Sequence, residues 1–269
     1  MNGRTLINGS ASSAITVSDR GLAYGDGLFE TMLFNGSHIP LWSFHYARLV
    51  SGCERLGLSA PKLNTLESEI EHLLGADTTP CVVKLILTRG SGGRGYAPPV
   101  SGDTTRILQQ LPCPSAAPIE HCTILSTTLS NSARLAGMKH LNRLEQVLAA
   151  RELQGTDADE GLVCNEFGFV IEAVSANLLV VLGDRIVTPR LDTAGVRGVM
   201  RDWLIDNSPV AIDEEYLYAD VLAEARELMV CNSIRGVRRI NRLDDTVFTQ
   251  SAVYEQLDEA ARRALEAIA

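Results

Sequence analysis

Lysine is nearly missing from this chain of 269 residues: among its 24 lysines and arginines, only Lys62, Lys84 and Lys139 are lysine. Each is a place where a guanidinium did not serve. An amine can shed its proton and attack a carbonyl, whereas arginine effectively stays protonated in a protein. Paired cysteines are also lacking. Cys53, Cys81, Cys113, Cys122, Cys164 and Cys231 form no C-x-x-C and none clusters with histidine. That excludes a disulfide framework or zinc site as the organising principle and suits a reducing, cytoplasmic setting. Nor is there a surplus of positive charge. The net charge of −9 and pI near 5.1 argue against nucleic acid or an anionic membrane as main partner, local basic pockets aside. The opening MNGRTLINGSAS has no charged region followed by an apolar run, so no signal peptide is expected. No apolar stretch reaches the roughly 18 residues of a membrane span. Internal repeats and low-complexity tracts are absent as well.

The 45% apolar content is enough for a sizeable core. Strand and helix patterns both occur, and the proline-rich stretch LPCPSAAPIE reads as a linker between two domains. The smaller covers residues 1–110 and the larger 119–269, with a linker over 111–118, where prolines oppose both helix and central strand. Asn8-Gly9 and Asn35-Gly36 both read as two-residue hairpin turns. After Gly25-Asp26-Gly27, LFETMLF reads as a strand with Phe29, Thr31 and Leu33 on one face and Glu30, Met32 and Phe34 on the other. A helix follows in which His45 and Arg48, three apart, share a face with apolar neighbours. Arg48 there either snorkels to solvent or meets an anion. The acidic face of the next helix, LNTLESEIEHLLG, reads as wet.

CVVKLILTRG is a buried-type strand that runs into SGGRGYAPP. This glycine loop lacks the G-K-[ST] of a P-loop and leads into no helix, so it presents Arg89, Arg94 and Tyr96 to a carboxylate rather than cradling a nucleotide. In the second half, Lys139 precedes a segment in which Leu141, Leu144, Leu148 and Ala149 recur at helical spacing, placing the lysine at the mouth of a helix. By itself this lysine is equally well a solvated residue. GLVCNEFGFVIEAVSANLLVVLGDRIVTP reads as three strands with turns near Glu166–Gly168 and Gly183-Asp184. Glu172 lies among apolar residues of the middle strand, where a carboxylate calls for a partner. Gly195 and Gly198 lead into a short helix whose open N–H groups suit an anion. Further on come a helix, a strand, a turn holding Asn232 and Ser233, and an amphipathic terminal helix.

The blocks YGDGLFET, HYARL, GMKHLNRLEQ, VIEAVSANLL, RGVMRDWL and CNSIRGV, in that order, resemble the fold-type IV pyridoxal-phosphate enzymes. That group holds branched-chain and D-amino-acid aminotransferases and the aminodeoxychorismate lyases. LTRGSGGRGY and GMKHLNRLEQVLAAREL look most like the lyase branch. The resemblance implies an α/β (α+β) fold of two domains with a pyridoxal 5′-phosphate cofactor in the cleft between them. It makes Lys139 the covalent anchor and base, Arg48 and Ser233 phosphate contacts, Glu172 the partner of the pyridine nitrogen, and Gly198, Val199 and Met200 the phosphate-cradling helix start. Arg94, Phe29 and Asn232 become substrate contacts, and Thr31 a proton donor or hydrogen bond near the leaving group. The implied reaction converts 4-amino-4-deoxychorismate to 4-aminobenzoate and pyruvate, in folate biosynthesis, by a homodimer. One departure is Arg238–Ile240, where the family more often has a proline. The competing expectations are an aminotransferase with the same cofactor, a non-enzymatic anion-binding scaffold built on GSGGRG and GVRGV, and a nucleotide-binding module.

Overall fold

The computed structural model describes residues 4–99, 102–115, 117–249 and 252–267. Two compact units form, Met1–Pro114 with Lys139–Asn142 and Glu266–Ala269, and Ser115–Met138 with Arg143–Leu265. Leu111 and Pro112, expected in the linker, complete a strand instead. Proline is tolerated there because it sits at the ladder's end, opposite Cys81 and beyond the residues that bond the neighbouring strand on the other side.

The first unit is built on one antiparallel sheet of β1 (Thr5–Ile7), β2 (Ser10–Ala11), β3 (Gly27–Phe34), β4 (Cys81–Thr88) and β5 (Thr105–Pro112), in the order β2-β1-β5-β4-β3. Asn8 and Gly9, both at positive φ, close the β1–β2 hairpin. Asn35-Gly36 does not make a hairpin. Its side chain caps a loop through Ser37 and His38 N–H, and β3 pairs with the distant β4 because a helix follows directly. Alternation in β3 buries Leu28, Glu30, Met32 and Phe34 and leaves Phe29, Thr31 and Leu33 half-buried. The helices are α1 (Arg20–Tyr24), α2 (Trp42–Leu56), which lies against β3, and α3 (Leu63–Leu74). The acidic face of α3 is not simply wet: Glu69 is buried and bonds Arg106 on β5 through both carboxylate oxygens.

The second unit carries β6 (Cys122–Leu129), α4 (Leu144–Leu153), β7 (Glu160–Asn165), β8 (Val170–Ala173), β9 (Asn177–Leu182), β10 (Arg185–Pro189), α5 (Val199–Asn207), β11 (Ile212–Glu215), a 3-10 turn at Ala219–Glu224, β12 (Glu227–Asn232), β13 (Gly236–Ile240), β14 (Arg242–Leu243), β15 (Thr246–Val247) and α6 (Ala252–Glu266). Two sheets result, β11-β10-β9-β12-β13 and β15-β14-β6-β7-β8, around a core that includes Leu162, Val170, Leu178, Val180, Leu228 and Val230. The stretch expected to give three strands gives four. Val174 and Ser175 turn the chain between β8 and β9, closed by the Ala173–Ala176 bridge, with no glycine or proline to announce it. Arg238–Ile240 runs in β13, and Arg238 is drawn 3.4 Å from the buried carboxylate of Glu160. No helix among the described residues is long and apolar enough to cross a membrane.

The apolar face expected on α4 is the larger surprise. Ala149 is buried, but Leu144, Val147 and Leu148 are 77%, 59% and 45% exposed. The helical period is real and its stripe points away from this subunit's core.

Candidate active site

Lys139 is held by a strand edge rather than a helix mouth. Residues 139–141 run antiparallel to the start of β3: Phe29 N–H donates to Lys139 O at 2.9 Å and Leu141 N–H to Gly27 O at 3.0 Å, with Leu28 opposite His140. The helix α4 begins only at Leu144. Pairing that begins at the Lys139 carbonyl fixes the path of the chain where the side chain leaves it. The Lys139 Nζ lies 4.4 Å from the Phe29 ring centroid, and Lys84 Nζ 5.8 Å from the same ring. Thr31, opposite Lys84 in the ladder, shares the face of β3 that carries Phe29.

On the opposite face of β3, Glu30 bonds α2. Arg48 donates from Nε to Glu30 Oε1 at 2.8 Å and from Nη2 to Oε2, a two-pronged pair. His45, one helical turn earlier, has Nδ1 2.7 Å from Oε2. Burial pushes the Glu30 carboxyl up, but Arg48 and His45 outweigh it and bring its pKa down to about 2. Burial lowers His45, Glu30 opposes, and the Arg48 and Lys139 cations lower it further. Both shifts give acid lability of one sign. Glu30 is depressed from 4.5, so its contribution is full above that pH and is lost as pH falls towards about 2. His45 is depressed from 6.5, so the unfolded chain binds a proton that the fold refuses, and stability also falls as pH drops below that value. Thermal melts should therefore show Tm declining from pH 6.5 downwards and more steeply below 4.5. The steep part should flatten in Glu30→Gln.

The glycine loop behaves differently from expectation. Arg89 is not offered to a ligand. It bonds Asp26 and donates to the carbonyls of Leu56 and Gly57, each at 2.8 Å, capping the C-terminus of α2. Arg94 and Tyr96 are exposed. The loop that carries them is pinned by Arg20, whose guanidinium donates to Gly95 O at 3.0 Å and Tyr96 O at 3.1 Å while its Nε bonds Asp26. Neither Arg20 nor Glu30 was singled out by sequence reasoning. For Glu30, the available signal was a carboxylate on the buried face of an alternating strand.

The second unit holds the remaining candidates. Glu172 sits on β8, 5% exposed, and its Oε2 accepts the Val196 N–H at 2.8 Å; Gln146 of α4 stands 3.5 Å from Oε1. Gly195, at φ +80°, lets the chain pass close to this carboxylate, since a Cβ there would lie 2.5 Å from Ile171. Gly198 is the N-cap of α5, which starts at Val199 and Met200. A Cβ on Gly198 would lie 1.9 Å from Asn177 Oδ1, so only glycine fits the helix start. Asn177 in turn ties this loop by donating to Val196 O at 2.8 Å. Asn232 shapes the β12–β13 turn by accepting Ile234 and Arg235 N–H, with half-buried Ser233 between them. The candidates thus fall into two sets. Lys139, Phe29, Thr31, Arg48 and Arg94 are in the first unit; Glu172, Gly198, Val199, Met200, Asn232 and Ser233 are in the second. No cluster of potential metal ligands occurs among the described residues.

A mixed α/β fold with an edge-held lysine, a carboxylate-anchored arginine and a glycine-capped helix start defines an enzyme of fold type IV. The chain belongs to the amino-transferase class IV family, whose pattern matches residues 27–243. It is 31% identical to the aminodeoxychorismate lyase of Vibrio harveyi, over 87% of this chain and 89% of that one. The crystal structure of 4-amino-4-deoxychorismate lyase from Pseudomonas aeruginosa superposes with a TM-score of 0.90 at 37% identity, covering 98% of this chain and all of that one. A putative branched-chain-amino-acid aminotransferase of Methanocaldococcus jannaschii is 26% identical over 95% of this chain and 91% of its own.

Proposed function

We propose that this protein is a pyridoxal 5′-phosphate-dependent lyase that converts 4-amino-4-deoxychorismate to 4-aminobenzoate and pyruvate, a reaction of folate biosynthesis in the cytoplasm. The observation that carries the reading is the full-length likeness to the Pseudomonas aeruginosa lyase.

The residues present suit the coenzyme. A phosphate dianion calls for a fixed guanidinium and open N–H groups at a helix start, met by Arg48 and by Gly198, Val199 and Met200, with Ser233 as a further contact. A buried carboxylate, Glu172, suits a protonated pyridine nitrogen. Lys139 would hold the aldehyde carbon covalently. When bound, the coenzyme supplies an aldehyde for amine capture and a ring that draws electrons from the reacting carbon.

With the coenzyme bound, the Lys139 amine would serve as the base that takes the proton from the substrate carbon bearing the amine. The carbon–oxygen bond to the neighbouring enolpyruvyl group breaks, the ring becomes aromatic, and the departing group takes up a proton to leave as pyruvate. In this reading Thr31 bonds the leaving oxygen, Arg94 binds a substrate carboxylate, and Phe29 and Asn232 line the substrate. Aromatisation makes the elimination downhill, so no amino acceptor is required. Purified protein given 4-amino-4-deoxychorismate alone should release pyruvate and 4-aminobenzoate in equal amounts. An absolute requirement for a 2-keto acid, with amine appearing on it, would establish the aminotransferase reading suggested by the Methanocaldococcus relative.

The assembly is a homodimer in this reading. Leu144, Val147 and Leu148 form one exposed apolar stripe of three large side chains at i, i+3 and i+4, the kind of surface a partner covers. Leu148→Glu should shift the protein towards the monomer in sedimentation or light scattering. An unchanged dimer would remove α4 from the interface.

A further inference from the structure

Three observations in the first unit belong together. His45 is completely buried, yet its Nε2 has no hydrogen-bond partner among the described residues. Its Nδ1 lies 2.7 Å from Glu30, and Glu30 is the residue that grips Arg48 with both carboxylate oxygens. A buried acceptor without a partner is a standing cost of folding, and an apolar side chain of similar size would avoid it. Something must offset that cost.

The proton inventory shows what does. Glu30 is an ionised acceptor paired with one cation, Arg48, so the pair is electrically closed. A second full charge at a site with no solvent exposure would be unpaired, so the histidine there is neutral. Its one proton must sit on Nδ1, because an ionised carboxylate oxygen 2.7 Å away can only accept. That leaves Nε2 as an acceptor, the ring atom without a partner among the described residues. A neutral donor is what the position needs. Lysine or arginine would over-charge it, and leucine would leave Oε2 with Arg48 Nη2 as its one donor instead of two.

We infer that His45 is the positioning residue for Arg48: its Nδ1–H fixes the rotation of the Glu30 carboxylate, and the carboxylate fixes the plane of the guanidinium that meets the coenzyme phosphate. The chain of contacts is donor, acceptor, donor, running from the interior of α2 through β3 and back to α2 one turn on. It rests on the proposed assignment of Arg48 to the phosphate. It adds that affinity for the phosphate depends on a residue that touches neither phosphate nor substrate.

The test compares binding of pyridoxal 5′-phosphate with that of pyridoxal, which lacks the phosphate, by absorbance titration of the apoprotein. The ratio of the two affinities isolates the phosphate contribution. In His45→Leu this ratio should fall by about tenfold to a hundredfold, the worth of a hydrogen bond to a charged group, while pyridoxal affinity stays put. His45→Asn can offer an N–H close to the Nδ1 position and should recover most of the ratio. Glu30→Gln should reproduce the loss and serves the same purpose if His45→Leu does not fold. Equal weakening of both ligands, or an unchanged ratio in both His45→Leu and Glu30→Gln, overturns the inference. Arg48→Met keeps the two levels apart. If the ratio survives there, Arg48 is not the phosphate contact and the underlying reading fails. If it collapses there but not at His45 or Glu30, only the inference fails.

Discussion

Lys139→Ala is expected to abolish turnover and, with it, the ability of borohydride to fix the coenzyme to the protein. The loss of the base alone should lower the rate by about 10²–10⁴-fold, and the loss of the covalent anchor comes on top of that. The effect should be specific to position rather than to lysine as such, and the structure supplies its own control. Lys84 Nζ lies 5.8 Å from the Phe29 ring that Lys139 Nζ approaches to 4.4 Å. If amine chemistry followed from proximity to this face of β3, the two would be interchangeable. Lys84 is carried by β4, paired with β3 opposite Thr31, whereas Lys139 lies on the other margin of β3, where Phe29 N–H donates to its carbonyl. Borohydride reduction followed by peptide mass analysis should find the pyridoxyl adduct at residue 139, present in Lys84→Ala and absent in Lys139→Ala. A fully active Lys139→Ala enzyme would remove the foundation of the proposed function.

The second large effect is expected at Glu172. Glu172→Gln preserves volume and leaves an oxygen to accept the Val196 N–H, so the loop that leads to Gly198 should keep its path. What it removes is the negative charge that favours a protonated pyridine nitrogen. Turnover should fall by about 10²-fold, the scale on which a single preorganised electrostatic contact acts. The coenzyme should remain bound, because Arg48, Lys139 and the α5 start are untouched. A stopped assay with a retained visible absorption band is therefore the expected signature. Unchanged kcat in Glu172→Gln would show that the carboxylate serves only to hold the Val196 loop.

The two variants rest on different depths of sequence information. The strand GLFETMLF was legible because alternation has a period of two, which put Glu30 on one face and Phe29 and Thr31 on the other; that the Glu30 face is the buried one came with the structure. The Asn8-Gly9 hairpin was legible because its backbone demands positive φ at both residues. The same dipeptide logic failed at Asn35-Gly36, where local chemistry permits a hairpin and the following helix forbids one. It also missed the Val174-Ser175 turn, which is imposed by pairing of β8 and β9 with other strands rather than by its own residues. Arg89 shows the limit for sites. An arginine beside a glycine loop looks like a ligand hook, but the carbonyls ending α2 lie far along the chain and claim it first. In α4, the period identified the helix correctly, but periodicity alone does not say whether the apolar side chains face the core, and Leu144, Val147 and Leu148 are exposed.

The edge-held tetrapeptide Lys139–Asn142 has a consequence for synthesis on the ribosome. β3 is the outermost strand of its sheet, and the margin of Gly27–Phe29 is closed only when residues 139–141 arrive. A nascent chain that has emerged as far as Pro114 contains every strand of that sheet but bears a raw flank, the kind that templates misassembly. Lys139 is thus delivered by the same peptide that seals the flank. A truncated N-terminal half made alone should be sticky and poorly soluble, and adding the missing piece as a separate peptide should quieten it.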